Sequence, residues 1–168
     1  GWGGLSDVFD ANKQNWTEEY NELKELLTDA EYKAARESVL NAHFTQPVII
    51  ESIYKALEQM GFRNGNVLEP SMGIGNFFGV IPESMRGSKL YGVELDDISG
   101  RIARQLYPDA EIQITGYENS GYPDDFFDVA VGNVPFGNYQ IYDRRYERQH
   151  FMIHDYFLAK TLDQLRSG

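Results

Sequence analysis

The chain has 168 residues, no cysteine and a formal net charge of −11. That length suits one domain with a real core, and a hydrophobic share of 42% is globular rather than disordered. The composition excludes disulfides and thiolate metal sites, and the lack of an apolar run of about 18 residues excludes a membrane-spanning helix. The acidic balance opposes duplex binding, which normally uses clustered Lys and Arg to displace counterions.

Residues 1–15 are Gly-rich and polar and read as an extended arm. A helix is expected from Thr17 to Leu27, with Tyr20, Leu23, Leu26 and Leu27 on one stripe. Thr28-Asp29-Ala30-Glu31 is a capping-box pattern that opens a second helix running to about Ala42. A third helix follows, with Ile49, Ile50, Ile53, Leu57 and Met60 apolar. Pro47 suits its first turn and Gly61 its end. From Asn66 the pattern changes. Strands at Val67-Leu68, Lys89 to Val93, Ala110 to Ile114 and Phe127 to Val131 alternate with helices at Asn76 to Ile81, Asp96 to Tyr107 and His154 to Leu165. Thr115 to Asp125 reads as a polar loop. Such alternation predicts an α/β fold, a parallel Rossmann-like sheet preceded by a helical segment. The boundary is set at 1–44 for the arm and helices and 45–168 for the sheet domain. The last helix is expected to feed a fifth strand beside the fourth. That expectation reads the chain as the N-terminal part of a larger catalytic domain with covalently linked C-terminal domains, and a start at Gly1 without methionine reads as an excised or processed piece.

Two stretches carry chemistry. Glu69-Pro70-Ser71-Met72-Gly73-Ile74-Gly75 follows the first strand. Gly73 and Gly75 fall on its turn, where missing side chains permit close approach to a ligand. Glu94 ends the second strand about 20 residues on, where an acid accepts bonds from ribose hydroxyls. An acid directly before the glycines disfavours a phosphate, and Phe78 stands where a dinucleotide fingerprint has its third glycine. A cofactor with a positive centre and an amino group is favoured, and S-adenosylmethionine fits. The second stretch, Asn133-Val134-Pro135-Phe136, ends the fourth strand. It brings a side-chain amide, a backbone carbonyl and a ring face together, although Asn and Pro also end strands in plain turns. Of the histidines His43, His150 and His154, only His150 and His154 are close, and they read as an exposed or packed pair rather than a metal site.

These residues resemble the amino-methyltransferase family, especially its adenine-N6 DNA branch. The stretch from Glu69 to Phe77, including Met72 and Asn76, resembles the Asp-Pro-x-x-Gly-x-Gly-x-Phe cofactor motif. Phe44-Thr45-Gln46-Pro47 resembles the Phe/Tyr-Thr-Pro element that contacts the methionine end of the cofactor. Glu94 matches the ribose-binding acid, and Asn133-Val134-Pro135-Phe136 resembles the Asn-Pro-Pro-Phe/Tyr catalytic motif. The likeness covers roughly residues 43–160. Ala42-His43-Phe44-Thr45, Gly132 to Gly137 and His154-Asp155-Tyr156-Phe157 are also similar to methylase domains of methylase–helicase proteins from phages and conjugative elements.

The resemblance implies methyl transfer from S-adenosylmethionine to adenine N6 in DNA, in a restriction-modification or antirestriction setting, within a bacterial or phage-infected cytoplasm. Val134 replaces the first motif proline, whose role is played by its carbonyl oxygen. Glu118 is the nearest acid to the position that contacts the cofactor adenine. Arg144, Arg145 and Arg148 could meet DNA phosphates or form surface ion pairs with Asp143 and Glu147. Cytosine-N4, an RNA base or a protein glutamine remain alternative acceptors. A non-catalytic cofactor- or DNA-binding module attached to a helicase is a further alternative.

Overall fold

The structure is a computed structural model and describes residues 4–39 and 44–167. Ala42, His43 and the expected end of the second helix lie outside the described residues. Residues 4–15 of the N-terminal arm are not extended. The arm forms 3-10 turns at Ser6–Phe9 and Gln14–Trp16, because Val8 and Phe9 have a core to enter. That core is closed by α1 (Thr17–Leu26) and α2 (Asp29–Ser38), with Tyr32, Ala35 and Val39 buried against Phe9. Tyr20, Leu23 and Leu27 pack on it, whereas Leu26 is exposed. The capping box forms as expected: Glu31 N–H donates to Thr28 Oγ1, and Thr28 N–H donates to the Glu31 carboxylate at 3.0 Å.

The sheet contains β1 (Asn66–Glu69), β2 (Lys89–Glu94), β3 (Glu111–Ile114) and β4 (Val129–Ala130), all parallel, in the order β3-β2-β1-β4. Successive strand residues face opposite sides. Val67 packs with Ile50 and Tyr54 of α3 (Pro47–Gln59) and with Phe77 of the short α4 (Asn76–Gly79). Further along that face, Ile112 meets Ala103 of α5 (Asp97–Leu106). Leu68, Tyr91 and Val93 pack on the other face with Tyr156 and Phe157 of α6 (Ile153–Gln164). In α3 the buried stripe is Ile50 and Tyr54, while Ile49 and Met60 are exposed.

β4 is shorter than the sequence suggests. The chain bends at Asp128, whose carboxylate accepts from Asn66 N–H at 2.7 Å and pairs with Arg166 at 2.8 Å. Phe127 instead forms a parallel bridge with Leu165, just after α6, in the position expected of a fifth strand. The Thr115-to-Asp125 loop is polar in sequence but anchored from within. Tyr117 and Tyr122 are buried in it, and the Tyr117 hydroxyl donates to Gln164 Oε1 at 2.6 Å. Among the described residues no helix is long and apolar enough to cross a membrane.

Candidate functional site

Strand order reverses between β1 and β4, so a crevice opens beyond their carboxyl ends. A cavity of about 580 Å3 occupies it. Both sequence motifs meet there. Phe44, Thr45, Glu69, Pro70, Met72, Gly73, Asn76, Phe77, Glu94, Glu118, Asn133 and Pro135 all border the cavity. Gly75, Val134 and Phe136 do not. Gly75 adopts φ +85°, and an added Cβ would lie 2.5 Å from the Tyr107 ring. The turn and the packing of Tyr107 both require glycine here. Val134 packs its side chain toward the Leu68–Tyr91 cluster, and Phe136 is exposed. A more open cavity of about 610 Å3 beside Phe9, Asp10 and Arg36 contains none of the motif residues.

The turn after β1 is built around Glu94. Gly73 N–H donates to one carboxylate oxygen and Asp96 N–H to the other, both at 2.7 Å. The Gly73 amide is thus committed to orienting the acid, and φ +57° at Gly73 makes this possible. Burial pushes the Glu94 carboxyl upward, and those two amide bonds counter part of the rise. Asp96 caps α5 by accepting from Ser99 N–H at 2.9 Å, while its Oδ1 is shielded and has no partner.

Glu69 is more extreme. It is 2% exposed, its Oε2 is sealed without a hydrogen bond, and it borders the cavity. Burial first, and the neighbouring Glu94 second, push its carboxyl well above the ordinary glutamate range. A buried acceptor without a donor is costly, so natural structures seldom leave one without a ligand or water. Two unpartnered acidic oxygens beside one cavity suit a ligand that brings donors and positive charge. S-adenosylmethionine, with an ammonium, ribose hydroxyls and a sulfonium, has that donor set.

On the other side of the crevice, Ser71 Oγ donates to the Asn133 carbonyl at 2.9 Å and ties the two motif loops together. The Asn133 side chain is exposed at the cavity, and neither its carboxamide nor the Val134 carbonyl has a hydrogen-bond partner among the described residues. Glu118 reaches the cavity with its carboxylate lying over Gly116, and its carbonyl accepts from Lys160 Nζ at 3.2 Å.

The three arginines divide. Arg145 pairs with Asp124 at 2.6 Å and Asp163 at 2.9 Å, not with Asp143 or Glu147 through its guanidinium. Arg144 and Arg148 are exposed and have no ion pair among the described residues.

Sequence reasoning missed several wall residues. Leu95 is 76% exposed at the cavity mouth, an apolar side chain between Glu94 and Asp96, and that placement within an acidic turn was its signal. Ala34 and Glu37 of α2 also border the cavity, brought there as α2 packs on α5, with Glu31 pairing to Arg101 at 3.0 Å. No local pattern announces that contact.

No protein-family profile matches the chain. Over 134 residues, 77% of its length, the chain is 34% identical to the defense against restriction protein B of Escherichia phage P1, and it spans 6% of that protein. Among solved structures it is similar to the modification subunit of a candidate type I restriction enzyme from Vibrio vulnificus, with a TM-score of 0.57 at 17% identity, over 88% of this chain and 36% of that one. It is also similar to a candidate S-adenosyl-L-methionine-dependent methyltransferase of Methanococcus maripaludis, with a TM-score of 0.53 at 13% identity, over 92% of this chain and 59% of that one. The fold is that of the Rossmann-like S-adenosylmethionine-dependent methyltransferases.

Proposed function

We propose that the domain transfers a methyl group from S-adenosylmethionine to the exocyclic N6 amine of adenine in DNA. The observation that carries this reading is a single cavity holding both the unpartnered acid Glu69 and the unpartnered amide of Asn133, at the switch point of a methyltransferase fold. The phage relative named for defence against restriction, and the restriction-modification subunit of like fold, support DNA as the acceptor.

When bound, S-adenosylmethionine would supply a methyl group on a sulfonium; as the N–C bond forms the S–C bond breaks, the neutral thioether leaves, and the amine's surplus proton goes to solvent. The cavity residues that would hold it are Glu69 for positive charge, Glu94 for ribose hydroxyls, and Leu95 and Phe44 for apolar contact, with Glu118 near its base. An aromatic amine is a poor nucleophile because its lone pair is delocalised into the ring. The Asn133 side-chain oxygen and the Val134 carbonyl accept its two N–H bonds and draw the nitrogen toward tetrahedral geometry. Such fixed acceptors act through preorganised position and charge, without covalent catalysis. Phe136, at the outer end of the loop, would stack on the unstacked target base.

Incubation with methyl-labelled S-adenosylmethionine and separate DNA, RNA and protein acceptors tests the assignment. Label is expected in N6-methyladenine of DNA. Incorporation into RNA or protein alone, or cofactor binding with no transfer to any acceptor, would overturn it.

A further inference from the structure

The segment after Asn133 exposes Phe136, which the methyl-transfer reading uses, and two further rings that it does not, Tyr139 at the cavity border and Tyr142. Phe136 is 63%, Tyr139 45% and Tyr142 73% exposed. A nearby tyrosine behaves differently: Tyr146 is buried and donates to Asp163 at 2.7 Å. Hydrogen bonds anchor the segment that carries these rings. Ile153 N–H donates to the Tyr139 carbonyl at 3.0 Å, and Gln140 Nε2 to the His150 carbonyl at 3.0 Å. The Asp143 carboxylate accepts from the Tyr156 hydroxyl at 2.7 Å and faces Lys160 Nζ at 3.4 Å. Arg144 and Arg148 follow these rings in sequence, exposed and without an ion pair among the described residues, in a chain of net charge −11.

We propose that residues 134–148 form a binding surface for single-stranded DNA, with Tyr139 and Tyr142 stacking on bases that flank the one presented to Asn133. The inference rests on the reading of Asn133 as the acceptor site. Exposed aromatic rings next to a few unpaired cations are the chemistry that holds an unpaired strand: every base has a π-face, and an unpaired base leaves it uncovered. A duplex keeps those faces stacked, and it requires far more positive charge than two free arginines supply. With two phosphates neutralised, log K for the strand should fall with log salt at a slope of about −1.4.

Fluorescence anisotropy on the whole chain tests this with three probes: a labelled, adenine-containing DNA strand of roughly 12 nucleotides, the same strand annealed to its complement, and RNA of the same sequence. The DNA strand is expected to bind at least about 10-fold more tightly than the duplex. Tyr142→Ala should weaken it roughly 5- to 150-fold while Tyr142→Phe retains it. Tyr142 is largely exposed, so its thermal unfolding curve should not move. Equal or tighter duplex binding, tighter RNA binding, an unaffected Tyr142→Ala, or no binding of any probe would each overturn the proposal. Calorimetric titration with S-adenosylmethionine separates the two readings. Cofactor binding without strand binding sinks this surface alone, and strand binding without cofactor binding sinks the methyl-transfer reading.

Discussion

At Glu69 a carboxyl has been placed where its charge is unwelcome. Burial raises its pKa in the folded chain, so the folded state keeps a proton that the unfolded state gives up. Its contribution to stability is therefore fully present below the unfolded glutamate pKa and is lost as pH rises toward the raised, folded value. Glu69→Gln should raise the melting temperature of the ligand-free chain at neutral pH, flatten its pH dependence, and weaken S-adenosylmethionine binding. Melting curves at several pH values together with cofactor titration check all three. Asn133→Ala removes an acceptor that the proposed transfer needs but that has no side-chain hydrogen bond among the described residues. Methyl transfer should fall at least about 100-fold, with the cofactor Kd within about threefold of wild type, measured by single-turnover labelling and calorimetry. Gly75→Ala places a Cβ against Tyr107 at φ +85° and should cost about 2 kcal/mol or more in a denaturant midpoint. Glu94 was legible from its spacing after the glycines, because an acid at a strand end is a local pattern. The fate of Arg145 was not, since Asp124 and Asp163 lie far from it in sequence and only folding brings them together.

The elements divide in the same way. Helices α2, α3 and α5 were readable from caps and periodicity, because Thr28, Pro47 and Asp96 act within a turn of the residues they serve. The length of β4 and the ordering of the Tyr117–Tyr122 loop depended on Asp128 reaching β1 and on α6 receiving two tyrosines, both tertiary events. α6 also fastens the segment beyond Asn133. Lys160 reaches Asp143 and the Glu118 carbonyl, and Tyr156 bonds Asp143. Burial pushes the Asp143 carboxyl up, but the Tyr156 hydroxyl, the Arg145 amide and Lys160 outweigh it and hold the acid below its usual range. Burial lowers the Lys160 ammonium, against the pull of Asp143. Asp143→Ala would strand a largely buried cation and a buried hydroxyl. It should destabilise the chain by about 3 kcal/mol, read from denaturant unfolding, and loosen the segment that carries Tyr139 and Tyr142. Loss of the capping box in Thr28→Ala should cost about 1 kcal/mol by the same measurement.

For the molecule as a whole, a cofactor that binds the folded state shifts its unfolding by mass action. S-adenosylmethionine at about 100 times its Kd should stabilise the chain by about 2.7 kcal/mol and raise its melting temperature by about 5–10 °C. An unchanged melting curve would count against the cofactor assignment. The Ser71–Asn133 hydrogen bond gives the assembly a further property. It joins the loop on which Glu69 and Gly73 sit to the loop that presents the acceptor group. A ligand that tightened one loop would be felt at the other through this bond, without any intervening element. By linkage, whatever factor the cofactor adds to acceptor affinity, the acceptor returns to cofactor affinity. Order of arrival is thermodynamically neutral for any two ligands; what the serine hydroxyl would carry is the coupling itself, which Ser71→Ala should reduce.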